Sequence, residues 1–209
     1  MIDVDSIITE VESRVKERTI NACLLSGGFD SFVLSYLLCK TMPKTSKLEL
    51  WSIPRPNRLE EHCVKIHHWL VEQFPDLDIS FKTAGTVEDI SNIHHTTHID
   101  YGISYMLNGV DKKNVTVFLG VTKNPDVEME YGTEVYRKRA RFAMIAQPFF
   151  DADKRYVVQL AHKLGILREA GMMTHSCSSA PSGRCYRCWQ CSERKWAFDS
   201  VGLIDEGTE

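Results

Sequence analysis

The sequence predicts an α/β protein built on a doubly wound, mainly parallel β-sheet. Short apolar runs of strand length alternate with helical segments of ten or more residues, the pattern of repeated βαβ units. The first apolar run enters a helix through a Ser-Gly-Gly turn, and 43% of the 209 residues are hydrophobic, enough to bury a core. Because such sheets bind ligands in the loops at the carboxyl ends of their strands, this turn is the first candidate site.

The elements of the first part of the chain alternate regularly. Apolar residues at helical spacing predict a helix over 5–18, before the first strand. Apolar runs predict strands at 20–25, 48–53, 77–81 and 115–120. Helical periodicity predicts helices at 31–40 and 59–70, and partly helical structure within 86–110.

Two further helices and a cysteine-rich segment are predicted in the last part of the chain. The first helix covers 130–146 and is broken by Pro148, and the second covers 153–164, with Gly165 as its C-terminal stop. The cysteine-rich segment occupies 177–191, and a short helix is predicted after it at 193–198.

The composition argues against several functions. The net charge of -3 gives no global attraction to nucleic acid or to an anionic membrane. No apolar run of about 18 residues occurs, so no membrane span is expected. The start M-I-D-V-D-S lacks the pattern of a signal peptide. Seven cysteines, four of them within fifteen positions, favour a metal site in a reducing compartment, so we expect the cytoplasm.

The segment S-G-G-F-D-S, residues 26–31, has the features of an anion site. Glycines let the backbone approach a ligand, and the N–H groups and dipole at the start of a helix favour phosphate. The hydroxyls of Ser26 and Ser31 add donors, and Asp30 could hold a Mg²⁺ ion that bridges phosphate oxygens. The alternative is a plain tight turn in which Asp30 is the helix N-cap. Neither a Walker A loop nor a G-x-G-x-x-G fingerprint occurs.

Four cysteines near the end of the sequence have the spacing of metal ligands. Cys177, Cys185, Cys188 and Cys191 follow the pattern C-x7-C-x2-C-x2-C, which suits tetrahedral Zn²⁺. A [4Fe–4S] cluster is the competing interpretation. His175 is a competing ligand, an edge of the active site or simply a loop residue. The remaining cysteines fall in apolar patterns and are predicted core residues: Cys23, Cys39 and Cys63.

The glycine turn resembles the S-G-G-x-D-S pyrophosphate loop of the ATP pyrophosphatase (PP-loop) superfamily. Combined with the cysteines, it is similar to the QueC family, the 7-cyano-7-deazaguanine (preQ0) synthases of queuosine biosynthesis. The segments that follow in the family's order are Q-P-F-F-D-A-D-K, L-A-H-K-L-G, T-H-S-C and C-Y-R-C-W-Q-C-S-E-R-K-W-A-F. The resemblance covers the chain end to end and is strongest at 20–40 and 147–198.

This resemblance implies a Rossmann-like fold of the adenine nucleotide alpha hydrolase-like kind. The PP-loop ATP-binding domain would occupy 1–165, with an additional N-terminal helix at about 1–18. Residues 166–209 would form a zinc-binding segment with four cysteine ligands, packed on the same domain.

The resemblance also implies the site residues and the cofactors ATP, Mg²⁺ and Zn²⁺. The ATP and pyrophosphate loop carries over onto Ser26, Gly27, Gly28, Asp30 and Ser31, of which Asp30 and Ser31 are the expected catalytic residues. Lys154, in the Q-P-F-F-D-A-D-K segment, is a candidate phosphate contact. The implied zinc ligands are Cys177, Cys185, Cys188 and Cys191.

The implied activity is that of an ATP-dependent carbon–nitrogen ligase. The carboxylate of 7-carboxy-7-deazaguanine would be adenylated, ammonia would displace AMP to give an amide, and a second activation would dehydrate the amide to a nitrile. The implied partners are therefore a small deazapurine carboxylate and ammonia, and a homodimer is left open.

The middle of the chain departs from the family pattern. Where members carry G-V-N-x-x-D…Y-P-D-C-R, this chain has G-V-T-K-N-P-D…Y-G-T-E-V-Y-R-K-R. The partial equivalents of the family's residues in this segment are Asp126, Tyr131 and Arg137. Together with His175 they are the candidate substrate residues. The departure favours a second hypothesis, a QueC-like enzyme that acts on another deazapurine, a nucleic-acid base or a protein carboxylate.

A third hypothesis is a non-catalytic zinc-ribbon module that binds nucleic acid. The phosphate footprint would then include the basic cluster Arg137, Lys138, Arg139 and Arg141, whose alternative interpretation is a solvated face. The net charge of -3 and the complete S-G-G-x-D-S loop weigh against this hypothesis.

Overall fold

A five-stranded parallel sheet forms the centre of the computed structural model, which describes residues 3–54, 60–86, 97–131, 137–180 and 182–207. The strands are β1 (Ile20–Leu24), β2 (Lys47–Ser52), β3 (Asp78–Thr83), β4 (Val115–Leu119) and β5 (Ile145–Ala146). Their order across the sheet is β3-β2-β1-β4-β5, and all neighbouring pairs are parallel. The strand order therefore reverses between β1 and β4, and the loops that leave these two strands meet at the switch point where such folds bind ligands.

Helices cover both faces of this sheet. They are α1 (Val4–Arg14), α2 (Phe29–Thr41), α3 (Glu61–Gln73), α4 (Thr97–Leu107), α5 (Lys154–Lys163), α6 (Leu167–Met173) and α7 (Trp189–Val201). Successive strand residues point to opposite faces, so Cys23 joins the large core under most of the helices while Ala22 joins a smaller core under α4. Among the described residues, no helix is both long and apolar enough to cross a bilayer.

The predicted fold class is confirmed, and the first four strands lie within two residues of their predicted positions. The first helix starts at a capping box formed by Asp3 and Ser6 and is shorter than predicted, because it ends at Arg14. Within 86–110, α4 is the helical part, and residues 87–96 lie outside the described residues. Gly165 follows α5 with a φ of 74°, as expected of a glycine that ends a helix.

The helix predicted over 130–146 is wrong in the part that the structure describes. Residues 137–144 are irregular, and Ile145 starts the short strand β5, which pairs with β4. The side chain of Gln147 accepts from the Ala140 N–H at 2.7 Å and donates to the Lys138 carbonyl at 3.2 Å. The Gln147 side chain thus satisfies backbone groups that a helix would have paired. Ile145 and Ala146 pair with β4 instead of forming a helix.

The helices α6 and α7 also differ from the sequence prediction. The short helix α6 was not predicted. Helix α7 begins at Trp189, inside the cysteine-rich segment, and continues to Val201, well beyond the predicted 193–198. Its left-handed cap is Gly202, with a φ of 67°.

A buried ion pair fastens the end of the chain to α7. The guanidinium of Arg194, fully buried, donates from Nε to one oxygen of Asp205 at 2.7 Å and from Nη2 to the other at 2.9 Å. Its Nη1 donates to the hydroxyls of Thr174 and Ser176 at 2.8 and 3.1 Å. Arg184 donates to Asp205 at 2.6 Å as well. Because bidentate bonds satisfy a buried charge, this group fixes α7, the 174–176 segment and the chain end relative to one another.

Replacing Asp205 by alanine should lower the free energy of unfolding by about 3–5 kcal/mol, since it leaves Arg194 buried and unpaired. Chemical denaturation of both proteins measures the difference. Asp199→Ala is the matched control, because Asp199 pairs with Lys195 at the exposed surface of the same helix. That control should change stability by about 1 kcal/mol or less. Equal effects of the two substitutions would contradict the assigned role of Asp205.

The ion pair between Arg194 and Asp205 predicts that the protein loses stability at acid pH. Burial alone raises the pKa of Asp205, but the hydrogen bonds and charges of Arg194 and Arg184 outweigh burial and lower it. A carboxylate with a depressed pKa contributes stability above the pKa of the unfolded chain, and the contribution is lost as pH falls through the folded pKa. Denaturation curves should therefore show declining stability below about pH 4, with a shallower decline in Asp205→Asn.

Candidate functional site

The S-G-G-F-D-S segment forms a tight, internally bonded loop between β1 and α2. The hydroxyl of Ser31 accepts from the Ser26 N–H at 3.1 Å and lies 3.0 Å from the Ser26 hydroxyl oxygen. The Ser26 hydroxyl accepts from the Gly28 N–H at 3.3 Å. Gly28 is the N-cap of α2, and no side chain in the described part of the chain caps this helix end. The N-cap role that the alternative gave to Asp30 is therefore wrong. The helix start is of the kind that an anion completes.

Two glycines are required by close approaches around this loop. Gly27 has a φ of 73°, and a Cβ added to it would lie 3.2 Å from the Cβ of His62 on α3. Gly120, directly after β4, would place a Cβ 3.2 Å from the Asp30 carbonyl carbon. The end of β4 thus packs against the start of α2, as the position of the switch point predicts.

A buried network of ion pairs begins at Asp30. The Lys154 ammonium, at the first residue of α5, lies 2.9 Å from Asp30 Oδ2 and 3.0 Å from Glu193 Oε2. The other oxygen of Glu193 accepts from Arg137 Nη2 at 2.9 Å, and Arg137 Nε donates to Asn124 Oδ1 at 2.6 Å. The structure therefore brings together three residues singled out in the sequence, Asp30, Lys154 and Arg137.

The charges of this network fix the protonation of Lys154. Burial alone lowers the pKa of this ammonium, but the carboxylates of Asp30 and Glu193 outweigh burial and raise it. Lys154 is therefore a buried cation at neutral pH. Asp30 Oδ1 is also buried, and it has no hydrogen-bond partner among the described residues. A carboxylate oxygen of this kind fits a hard divalent cation such as Mg²⁺, which prefers oxygen ligands.

His175 lies against the glycine loop. Its backbone N–H donates to the Gly27 carbonyl at 2.8 Å, and its ring stacks on that of His62 with centroids 5.2 Å apart. Its Nε2 lies 2.9 Å from the Ala180 carbonyl oxygen. His175 is thus adjacent to the predicted nucleotide site, and its contact with a substrate remains a prediction.

The other two candidate substrate residues lie at the surface. Asp126 forms an exposed ion pair with Lys123 at 2.7 Å. Tyr131 is 42% exposed, and a hydrogen bond with Glu130 raises the pKa of its hydroxyl. The ion pairs that join Arg137 to Lys154 through Glu193 do not include either residue.

The four predicted metal ligands come together at the start of α7. The sulfur atoms of Cys177, Cys185, Cys188 and Cys191 all lie within 4.8 Å of one another. Cys188 is the N-cap of α7, and Cys191 lies in its first turn. Four thiols so close together fit a single metal ion with sulfur ligands.

Backbone N–H groups donate hydrogen bonds to two of these sulfurs, and they lower the pKa of one of them, Cys177. The N–H groups of Ser179 and Ala180 donate to the Cys177 sulfur at 3.4 and 3.2 Å, and that of Arg187 donates to Cys185 at 3.4 Å. Burial alone raises the pKa of Cys177, but such hydrogen bonds outweigh burial and lower it. Since metals bind the thiolate, these donors favour metal binding.

Glu193 and Asn124 are the network residues that sequence reasoning missed. Glu193 is 2% exposed and separated by 39 positions from Lys154 in the chain. The sequence feature that could have indicated a buried site at Glu193 was its position. It is a charged residue two positions after the last cysteine, on a helix that must pack against the domain. Asn124 follows β4 in the G-V-T-K-N segment, where a loop at the carboxyl end of a strand could have indicated a site.

Comparison with known proteins gives a family match in the second half of the chain. The family described as "Queuosine biosynthesis protein QueC" matches residues 100–202, which confirms the resemblance seen in the sequence for that part of the chain. No curated protein matches the chain.

Solved structures share the fold at low sequence identity. NH3-dependent NAD synthetase from Campylobacter jejuni has a TM-score of 0.52 and 14% identity, over 80% of this chain and 74% of that one. NMN synthetase from Francisella tularensis has a TM-score of 0.51 and 13% identity, over 99% and 84%. The U34-tRNA thiolase NcsA from Methanococcus maripaludis has a TM-score of 0.47 and 17% identity, over 95% and 73%.

The cysteine group should bind one metal ion per chain, and Cys188→Ser should abolish stoichiometric binding because it removes one of four ligands. Elemental analysis of the purified proteins gives the metal content. Cys39→Ala is the matched control, since Cys39 is a buried cysteine of α2 outside the group. Equal metal content in wild type and Cys188→Ser would contradict the assignment.

Proposed function

We propose that this chain, whose residues 100–202 match the QueC family, activates a carboxylate by adenylation with ATP and releases pyrophosphate. The observation that carries the proposal is the environment of Asp30. This carboxylate stands at an uncapped helix start, next to a buried lysine, with its second oxygen lacking a partner among the described residues. A cation and a phosphate chain would complete all three features.

The loop residues would hold the β- and γ-phosphates of ATP, which leave as pyrophosphate. The N–H groups at the start of α2 are the proposed donors for phosphate oxygens. The hydroxyls of Ser26 and Ser31 would donate to phosphate in place of their present bonds within the loop. Lys154 donates a hydrogen bond to Asp30 and forms an ion pair with Glu193, and a remaining N–H is the proposed donor to a phosphate oxygen. A bound Mg²⁺, held by Asp30 Oδ1, would neutralise charge that develops on the leaving group.

The chemistry balances without a protein nucleophile. A carboxylate oxygen of the substrate attacks the α-phosphorus of ATP, and the bond to the β-phosphate oxygen breaks to release pyrophosphate. Ammonia then attacks the acyl carbon, loses a proton and expels AMP to leave an amide. With a second ATP, the amide oxygen attacks the α-phosphorus and a second pyrophosphate leaves. Loss of AMP and two protons from the adenylated amide then gives a nitrile.

The substrate we propose is 7-carboxy-7-deazaguanine, converted to 7-cyano-7-deazaguanine. The family match supports this choice. Arg137 is the proposed partner of the substrate carboxylate, because Asn124 and Glu193 fix its guanidinium beside the network.

Zinc is the proposed metal of the cysteine group. A tetrahedral zinc site with Zn–S bonds of about 2.3 Å places its sulfurs about 3.8 Å apart. The sulfurs of Cys185 and Cys191 are 4.0 Å apart, and all four lie within 4.8 Å of one another. Four irons and four sulfides inside a cluster would hold the cysteine sulfurs farther apart, so the spacing supports a single ion.

A second candidate keeps the adenylation and changes the carboxylate. The family match begins at residue 100, and Asp126, a partial equivalent of a family residue, is paired with Lys123 at the surface. Another deazapurine, a nucleic-acid base or a protein carboxylate would then be the substrate. Product analysis distinguishes the candidates: a nitrile from 7-carboxy-7-deazaguanine and ammonia supports the first, and AMP release only with another carboxylate supports the second.

Asp30→Asn should reduce ATP–pyrophosphate exchange by about 100-fold or more, because it removes the negative charge of the proposed cation ligand. The fold should persist, since Lys154 keeps Glu193 as a partner. Radiolabelled pyrophosphate measures the exchange, and Asp199→Asn, at an exposed site on α7, is the matched control. Full exchange activity in Asp30→Asn would refute the assigned loop.

A further inference from the structure

We propose that Glu193 is a positioning residue for the ATP site, which acts by holding Lys154 at a fixed place beside Asp30. This inference rests on the proposed function, because it assigns a role within the same site. Glu193 acts on the S-G-G-F-D-S loop through the ammonium that lies between the two carboxylates.

The two oxygens of Glu193 are each committed to a different cation. Oε2 lies 3.0 Å from the Lys154 ammonium, and Oε1 accepts from Arg137 at 2.9 Å. Glu193 and Lys154 are 2% and 4% exposed, so water does not compete strongly for either group. A carboxylate with both oxygens bound in this way has little freedom to rotate, and it fixes the position of both cations.

The charge balance explains why a second carboxylate is needed. Asp30 and Glu193 carry one negative charge each, and Lys154 and Arg137 carry one positive charge each, so the group is neutral. Without the charge of Glu193, Asp30 would be the only carboxylate of a group that still contains two cations. Lys154 would then move toward Asp30 and compete with a divalent cation for the oxygen that is now open.

The packing of α7 against α5 places Glu193 within reach of Lys154. Helix α7 begins at the cysteine group, with Cys188 as N-cap and Cys191 in its first turn, and it packs against α5. Lys154 is the first residue of α5. The helix that carries two of the metal ligands thus also carries the carboxylate that reaches the nucleotide loop through one lysine.

The experiment compares Glu193→Gln with Lys154→Met and the double variant. Two quantities are measured: kcat and KM for ATP in ATP–pyrophosphate exchange, and the affinity for Mg²⁺ with inorganic pyrophosphate by calorimetry. We expect Glu193→Gln to lower kcat by about 10-fold or more while KM changes by less than about threefold, since the contact matters most for the leaving group. Pyrophosphate affinity should fall by about 10-fold for the same reason.

Two comparisons separate a positioning role from a structural one. If Glu193 acts through Lys154, the double variant should lose little more than Lys154→Met alone, because the two effects are not additive for residues in one network. Glu193→Asp, which keeps the charge, should recover part of the lost kcat. Glu12→Gln, at an exposed position of α1, is the matched control and should retain wild-type values.

Three results would overturn the inference. The first is that Glu193→Gln has the same kcat and pyrophosphate affinity as Glu12→Gln. The second is that the losses of Glu193→Gln and Lys154→Met add up in the double variant. The third is that Glu193→Gln does not fold, while Glu193→Asp folds, has wild-type activity and shows no coupling to Lys154. A wild-type protein that binds pyrophosphate without exchanging it would contradict the proposed function, and the affinity comparison would still test Glu193.

Discussion

The placement of a lysine between two buried carboxylates is the constraint on which the site depends. Lys154 can remain charged at 4% exposure only because Asp30 and Glu193 both compensate for the loss of water. Asp30 lies in the first turn of α2, Lys154 starts α5 and Glu193 lies on α7. One ammonium therefore ties three separate parts of the chain together, and the position of the loop carboxylate depends on all three.

The parallel sheet makes this meeting possible. Parallel strands deliver all of their carboxyl ends to one edge, and the order β3-β2-β1-β4-β5 leaves a crevice between the loops after β1 and β4. Gly120 allows the chain after β4 to approach Asp30 closely. Asn124, a few residues farther on, then reaches Arg137 and extends the network along the same edge.

Helix α7 connects the cysteine group to this edge of the sheet. Its first turn contains Cys191, and two nearby residues of the helix face different partners: Glu193 meets Lys154 and Arg137, and Arg194 meets Asp205 and the 174–176 segment. That segment in turn contacts the glycine loop through the His175 N–H. A metal ion that orders the start of α7 would therefore stabilise the surroundings of the nucleotide loop, which gives the cysteine-rich segment a structural role.

The sequence by itself determined the features that depend on local pattern. The βαβ alternation predicted the parallel sheet, the S-G-G-F-D-S turn indicated a phosphate loop, and the cysteine spacing indicated a metal site, because each signal lies within a few neighbouring residues. The helix predicted over 130–146 was wrong since pairing with β4, a distant segment, outweighed local propensity. Glu193 and Asn124 were missed for the same reason. A buried charge is decided by the partners that packing brings to it, and only the tertiary structure brings residues 30, 154 and 193 together.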